Sequence, residues 1–336
     1  MEPVPAEIAR IVSETSFSGV VRADLGDGRC WSVAAGPASR RFGVLNRPDT
    51  PFGIASGTKG LTALTVMSLV EDGTLNLATT ARSVLGADLP LVDDRVTVEH
   101  LLGHRSGIGD YLDESELSGV DDHVLRVPVH RLDSTEAYLA VLQGFPTAFP
   151  PDERFAYCNG GYVVLALIAE RAAGVPFADL VQQRVCGPAG MTGSGFARGD
   201  APPEGAAEGY LVVDGEWRTN VLHLPVLGSG DGGMYAPAAD LAAFWSALFA
   251  GRVVAPASLA VMVQPRSDVP EEGRRYGLGF WLHRTSSVVM LEGCDAGISF
   301  RSEHDPVTGR TLTTIANTAD GAWPVAAALA ALYGLD

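Results

Sequence analysis

Pro51-Phe52-Gly53-Ile54-Ala55-Ser56-Gly57-Thr58-Lys59-Gly60 is the stretch from which the rest of the chain is best read. A serine and a lysine three residues apart share one face once the backbone turns helical. The residues that follow make it helical. Between Thr58 and Val70 the apolar positions Leu61, Ala63, Leu64, Val66, Met67, Leu69 and Val70 cover most of a helix circumference, the pattern of a central buried helix. Glu71-Asp72-Gly73 closes it, with glycine in the C-cap role. A serine at the start of such a helix is rigidly held near the positive end of its dipole. A lysine kept neutral beside it could take the serine proton and make the hydroxyl a nucleophile.

Outward from this helix, the N-terminal side reads as a helix followed by two β-prone runs, Phe17 to Leu25 and Cys30 to Gly36. Asp27-Gly28 supplies the hairpin turn between them. On the other side, Thr97 caps a helix start and Gly103 to Gly109 reads as a loop. Gly160–Ala173 and Asp240–Ala250 read as further apolar helices. The pattern then turns to strands over Tyr276–His283, Ser286–Leu291, Ser299–Glu303 and Arg310–Asn317, before a last helix from Trp323 to Tyr333. Strands at both ends with helices between imply an α/β chain of the α+β type, its sheet built from both termini around a helical insertion.

With 336 residues, 46% hydrophobic and 19% charged, the chain is globular and long enough for one large or two interleaved domains. Its formal charge of −16, from 24 Lys and Arg against 40 Asp and Glu, repels phosphate backbones and argues against a nucleic-acid partner. The N-terminus has no basic and apolar leader pattern, and no run of about 18 apolar residues suggests a membrane span. Cys30, Cys158, Cys186 and Cys294 are scattered, with neither zinc nor disulfide spacing. The expectation is a cytoplasmic protein with free thiols, no metal and no cofactor.

A second polar triplet, Tyr157-Cys158-Asn159, precedes the helix at Gly160. With it come Val96 to Ile108 (VTVEHLLGHRSGI), Gly187-Pro188-Ala189-Gly190-Met191, Gly232-Gly233-Met234-Tyr235 and Tyr276 to Trp281 (YGLGFW). Together with the Ser56 stretch, these segments resemble the serine β-lactamase and penicillin-binding-protein superfamily, in particular its class C β-lactamase-like esterases and transacylases. The resemblance runs from about residue 50 to 300, in the family's order. It implies a β-lactamase/transpeptidase-like fold: an antiparallel sheet flanked by terminal helices (1–78 and 226–336), a mainly helical inserted domain (79–225) and a cleft between them.

The resemblance also implies roles. Ser56 would be the nucleophile, with Lys59 and Tyr157 sharing the proton relay and the choice of base between them open. The backbone N–H groups of Ser56 and Cys294 would form the oxyanion hole. Asn159 would bond the acyl chain or Lys59. The family's third motif aligns with Leu291-Glu292-Gly293, in the substrate-binding position. Leu291 stands where a lysine or histidine is usual, and Glu292 where threonine is common, so an anionic substrate would lose a contact and meet a repelling charge.

Simpler roles compete at several positions. Ser56 could be a helix cap beside a solvated lysine, Tyr157 a packed tyrosine, Asn159 an N-cap and Cys294 a small buried hydrophobe. His100 and His104 stand four apart but lack the H-E-x-x-H pattern, which favours structural roles. Gly228 to Gly233 fits G-x-G-x-x-G without a surrounding βαβ unit and reads as a loop beside the cleft. Asp93-Asp94, Asp121-Asp122 and Glu271-Glu272 read as surface charge. The functional expectation is a serine hydrolase acting on small esters or amides through an acyl-Ser56 intermediate. The alternative is an acyltransferase passing the acyl group to an amine or alcohol. A β-lactamase or DD-peptidase and a catalytically silent binding protein are weaker readings.

Overall fold

The computed structural model describes residues 2–113, 119 and 124–335. Strands β1 (Gly19–Leu25) and β2 (Cys30–Ala35) join a sheet completed near the other end of the chain. The later strands are β3 (Ser267–Val269), β4 (Arg274–Tyr276), β5 (Trp281–His283), β6 (Val289–Asp295), β7 (Ile298–Asp305) and β8 (Arg310–Ala316). The eight are antiparallel in the order β3-β4-β5-β6-β7-β8-β1-β2. The seam between the two ends is the β1–β8 ladder, with Gly19 opposite Ala316 and Leu25 opposite Arg310.

The two faces of the sheet are covered by different helices. Helices α1 (Ala6–Glu14) and α5 (Ala322–Tyr333) lie on one face. There Ile8, Trp31, Met290, Leu312 and Leu329 share a core. Helices α2 (Thr58–Glu71) and α4 (Ala238–Phe249) pack on the other, and α3 (Asn159–Ala173) packs against α2. There Leu61, Leu64, Leu165, Phe244, Leu291 and Phe300 belong to the larger core. Strand alternation explains the division: Val289 and Leu291 face α2, while Met290 faces α1 and α5.

Helix α2 is buried on every side from Thr58 to Leu69, as its all-round apolar pattern predicts. Its polar residues bond to backbone instead of water: Thr62 Oγ1 donates to the Gly230 carbonyl at 2.7 Å and Thr65 Oγ1 to that of Leu61 at 2.9 Å. Gly57 and Gly60 let it lie almost against the sheet. A Cβ on Gly57 would fall 2.3 Å from the Phe300 ring, and one on Gly60 2.3 Å from Leu291 Cδ2. The single strand expected over Tyr276–His283 is instead the end of β4, a turn at 277–280 and β5, which pairs antiparallel with β4, Tyr276 opposite Trp281; other element ends differ from the sequence reading by a few residues. All four cysteines are free. Among the described residues no helix is long and apolar enough to cross a membrane, and no cluster of His, Cys, Asp and Glu could hold a metal ion.

Candidate active site

Ser56 lies in a single 3-10 turn, Ala55–Gly57, that runs directly into α2. Ala55 has φ +46°, a left-handed conformation that a side chain resists at a cost of about 1–3 kcal/mol. The surroundings hold it there. Thr58 Oγ1 donates to the Ala55 carbonyl at 2.8 Å, and the Ile54 N–H to the Met234 carbonyl at 3.0 Å.

Lys59 Nζ is 2.7 Å from Ser56 Oγ, 2.7 Å from Asn159 Oδ1 and 2.8 Å from the Asp231 carbonyl oxygen. Two of these partners can only accept; the serine hydroxyl can accept or donate. An ammonium fills all three contacts as a donor. A neutral amine fills the two carbonyl contacts with its hydrogens and turns its lone pair to the Ser56 hydroxyl. The cage therefore suits both protonation states without rearrangement, which a proton shuttle requires. Lys59 is 2% exposed, and it is the only lysine in the 336-residue chain.

Tyr157 packs its ring over this amine, 4.9 Å from centroid to Nζ. The ring is fixed between His104, at 4.3 Å, and Trp281, stacked at 6.1 Å. Burial, with Lys59 nearby, pushes the His104 pKa well below its ordinary value, so the imidazole is neutral. Its Nδ1 accepts the Cys158 N–H at 3.0 Å, pinning the backbone between Tyr157 and Asn159. His104 is thus a structural histidine. His100 is another: its Nδ1 accepts the Thr97 N–H in a capping box.

Asn159 opens α3, but the N-cap is Cys158, whose Sγ accepts the Gly161 N–H at 3.3 Å. The amide of Asn159 is spent on alignment: Oδ1 holds Lys59, and Nδ2 donates to the Leu112 carbonyl at 2.9 Å. The buried carboxylate of Asp110 takes the N–H groups of Asn159, at 2.6 Å, and Gly160, at 2.8 Å. Burial raises its pKa to about 6, against the lowering effect of those N–H groups, with the charge of Asp231 adding to the rise. Asp231 itself accepts from Tyr111 at 2.5 Å. The Gly228–Gly233 segment is a loop against α2, with the Gly230 and Asp231 carbonyls bonded to Thr62 and Lys59.

Strand β6 forms the opposite wall. A Cβ on Gly293 would lie 2.6 Å from both the Ser56 nitrogen and the Ile54 oxygen, so only glycine lets the strand come this close. Ser56 and Cys294 both line a cavity of about 380 Å³, together with Tyr111, Asn159 and Asp231. Residues 4–333 match the family described as Beta-lactamase. The chain belongs to that family. Penicillin-binding protein 4* of Bacillus subtilis is 28% identical over 282 residues, 80% of this chain and 60% of that protein. The chain therefore spans less than two thirds of that relative's length. Esterase EstB of Burkholderia gladioli is 30% identical over 273 residues, 74% of this chain and 69% of its own. The crystal structure of a penicillin-binding protein from Bacillus halodurans, 33% identical, has a TM-score of 0.91 over 97% of this chain and 99% of that one.

Within the family pattern, the third motif needs correction. Leu291 and Glu292 do not line the cavity. Leu291 is buried against Gly60 of α2. Glu292 faces the other side of the sheet, where Arg274 at 3.0 Å and Arg301 at 2.5 Å hold its carboxylate and keep its pKa low despite burial. It cannot repel a substrate anion from there. The period-2 alternation of a strand was the available signal: if Gly293 meets Ser56, Glu292 must point away. Cys294 alternates likewise, its Sγ lying 3.5 Å from the Ala319 carbonyl. Of the acidic pairs, Asp93 and Asp94 bind Arg95 and Arg82 at the surface; Asp121 and Asp122 lie outside the described residues. Sequence reading missed Asp110 and Asp231. The first acts on backbone N–H groups and the second lends a carbonyl, and neither leaves a spacing motif.

Proposed function

We propose that this protein is a serine hydrolase that cleaves small esters or amides through an acyl-Ser56 intermediate. The observation that carries the reading is the 2.7 Å contact between Ser56 Oγ and the buried amine of Lys59, held by two further acceptors. Ser56 Oγ bonds to the acyl carbon as its proton passes to Lys59, or to Tyr157 beside it. The carbonyl oxygen, now an anion, is met by the N–H groups of Ser56 and Cys294. The bond to the leaving oxygen or nitrogen breaks, and that atom takes up the relayed proton. Water then attacks the acyl carbon, loses a proton to the relay, and releases the acid and free Ser56. The local positive charge of an S-x-x-K helix start favours each anionic step. An alcohol or amine that replaces the water would make the same apparatus an acyltransferase.

Intact mass after exposure to activated esters, a fluorophosphonate and a penicillin tests the reading. A single adduct is expected on the native protein and none on Ser56→Ala. Conjugate formed faster than acid when an alcohol or amine is added would favour the transferase. Absence of any adduct would overturn the reading and leave a binding protein.

A further inference from the structure

The cavity beside Ser56 has a one-sided charge. Four of its lining residues are carboxylates, Asp200, Glu208, Asp231 and Asp295, and no arginine or lysine is among the described residues that line it. Asp200 is the least important, because it lies on the exposed rim and is held by Arg198 at 2.9 Å. The other three line the cavity together with Ser56. Asp295 follows the oxyanion residue Cys294, and its Oδ2 lies 3.7 Å from the Cβ position of Gly232, next to the Ala55 carbonyl. Asp231 stands across the same loop with Tyr111 donating to it. Glu208 accepts from Tyr210. A phenol hydroxyl orients a carboxylate without cancelling its charge. Burial first, and then the charges of both Asp231 and Asp295, push up the pKa of Tyr138, which lines the same cavity.

Between the carboxylates the wall is aromatic, with Phe52, Tyr111, Tyr138 and Tyr235. Carboxylates interleaved with aromatic faces suit an alkylammonium, which gains from the charge and from the ring quadrupoles alike. An anionic acyl donor meets repulsion there from the carboxylates, and among the described lining residues His223 is the one basic side chain that could meet its carboxylate. The net charge of −16 adds long-range attraction for a cation.

We propose that the cavity selects acyl donors that carry a small cationic amine, seated against Asp295 and Asp231 with Glu208 at the far end. The inference rests on the acyl-Ser56 reading. It makes Asp295 a specificity-determining residue, placed one position beyond the oxyanion strand residue.

Matched substrates test it with the full chain. On the acyl side, the 4-nitrophenyl esters of 5-aminopentanoate, hexanoate and glutarate differ mainly in terminal charge. On the leaving-group side, butyrylcholine and 3,3-dimethylbutyl butyrate differ by one charge at constant shape. In at least one of the two series kcat/KM is expected to favour the cation by roughly tenfold or more at low salt. That ratio should shrink as salt rises and fall toward one in Asp295→Asn. Glu208→Gln, measured the same way, gives the second arm should Asp295→Asn not fold. A ratio near one in both series, or a preference for the anion, overturns the inference while turnover of the neutral esters leaves the hydrolase reading standing. No turnover and no Ser56 adduct with any ester overturns the hydrolase reading itself, and this inference with it.

Discussion

On one side of Ser56, helices α2 and α3 present side chains whose polar atoms are fixed in turn by other groups: Lys59 by Asn159, Asn159 by Leu112 and Asp110. On the other side, β6 presents a bare glycine, so close that a Cβ on it would lie 2.6 Å from the Ser56 nitrogen, and its polar side chain, Glu292, is turned away to two arginines. One wall works through chemistry and the other through shape. A substitution on the first should remove a proton-transfer partner. One on the second should displace the backbone proposed to hold the oxyanion.

The largest effect should come from Lys59→Met, which empties the cage. kcat/KM is expected to fall about 10⁴-fold, with Ser56 labelling by a fluorophosphonate slowed in parallel. Near-native rates would mean that Tyr157 alone serves as base, and the chemical wall would have to be redrawn around it. Gly293→Ala comes next. Its Cβ cannot coexist with the Ser56 nitrogen at 2.6 Å, so β6 or the Ala55–Gly57 turn must shift. A loss of about 10²–10³ in kcat, comparable to deleting an oxyanion donor, is expected. Unchanged kcat would show that the strand does not set the oxyanion geometry.

The smallest effect concerns Asp110, two contacts removed from Ser56. Its pKa is raised in the folded state from 3.8 to about 6, so the folded protein binds its proton more tightly than the unfolded chain. The stabilising contribution is therefore complete below about pH 4 and lost as pH rises through about 6. Above that pH the protein carries a buried charge in order to hold the Asn159 N–H. Asp110→Asn removes the charge and weakens the hold. Its melting temperature relative to the native protein should rise between about pH 4 and 6, while kcat drops roughly tenfold through looser alignment of Asn159. Parallel pH profiles of melting temperature for the two proteins would show that Asp110 does not titrate in this range.

The same contrast explains what could be read before the fold was seen. The chemical wall was legible because its members are side chains at helical spacings: Ser56 and Lys59 three apart before an apolar helix, Tyr157 and Asn159 at the head of another. The antiparallel sheet made from both ends followed from the distribution of β-prone runs. The backbone contributions were hidden. A carbonyl such as that of Asp231 is present in every residue, and only the path of the 228–233 loop directs it at Lys59. Asp110 looks like any loop aspartate until α3 brings its N-terminus to it. Glu292 was misread for a different reason, since its neighbours in sequence lie on the opposite face of the sheet.

Of the 24 basic side chains, 23 are arginines and the remaining one is the buried Lys59. A protein with the acyl-Ser56 chemistry proposed above would risk decorating its own surface with stable amides. Here the exterior offers no lysine ammonium to be modified; guanidinium groups, with their far higher pKa, do not react in that way. Stable amides on surface lysines are thereby excluded by composition alone.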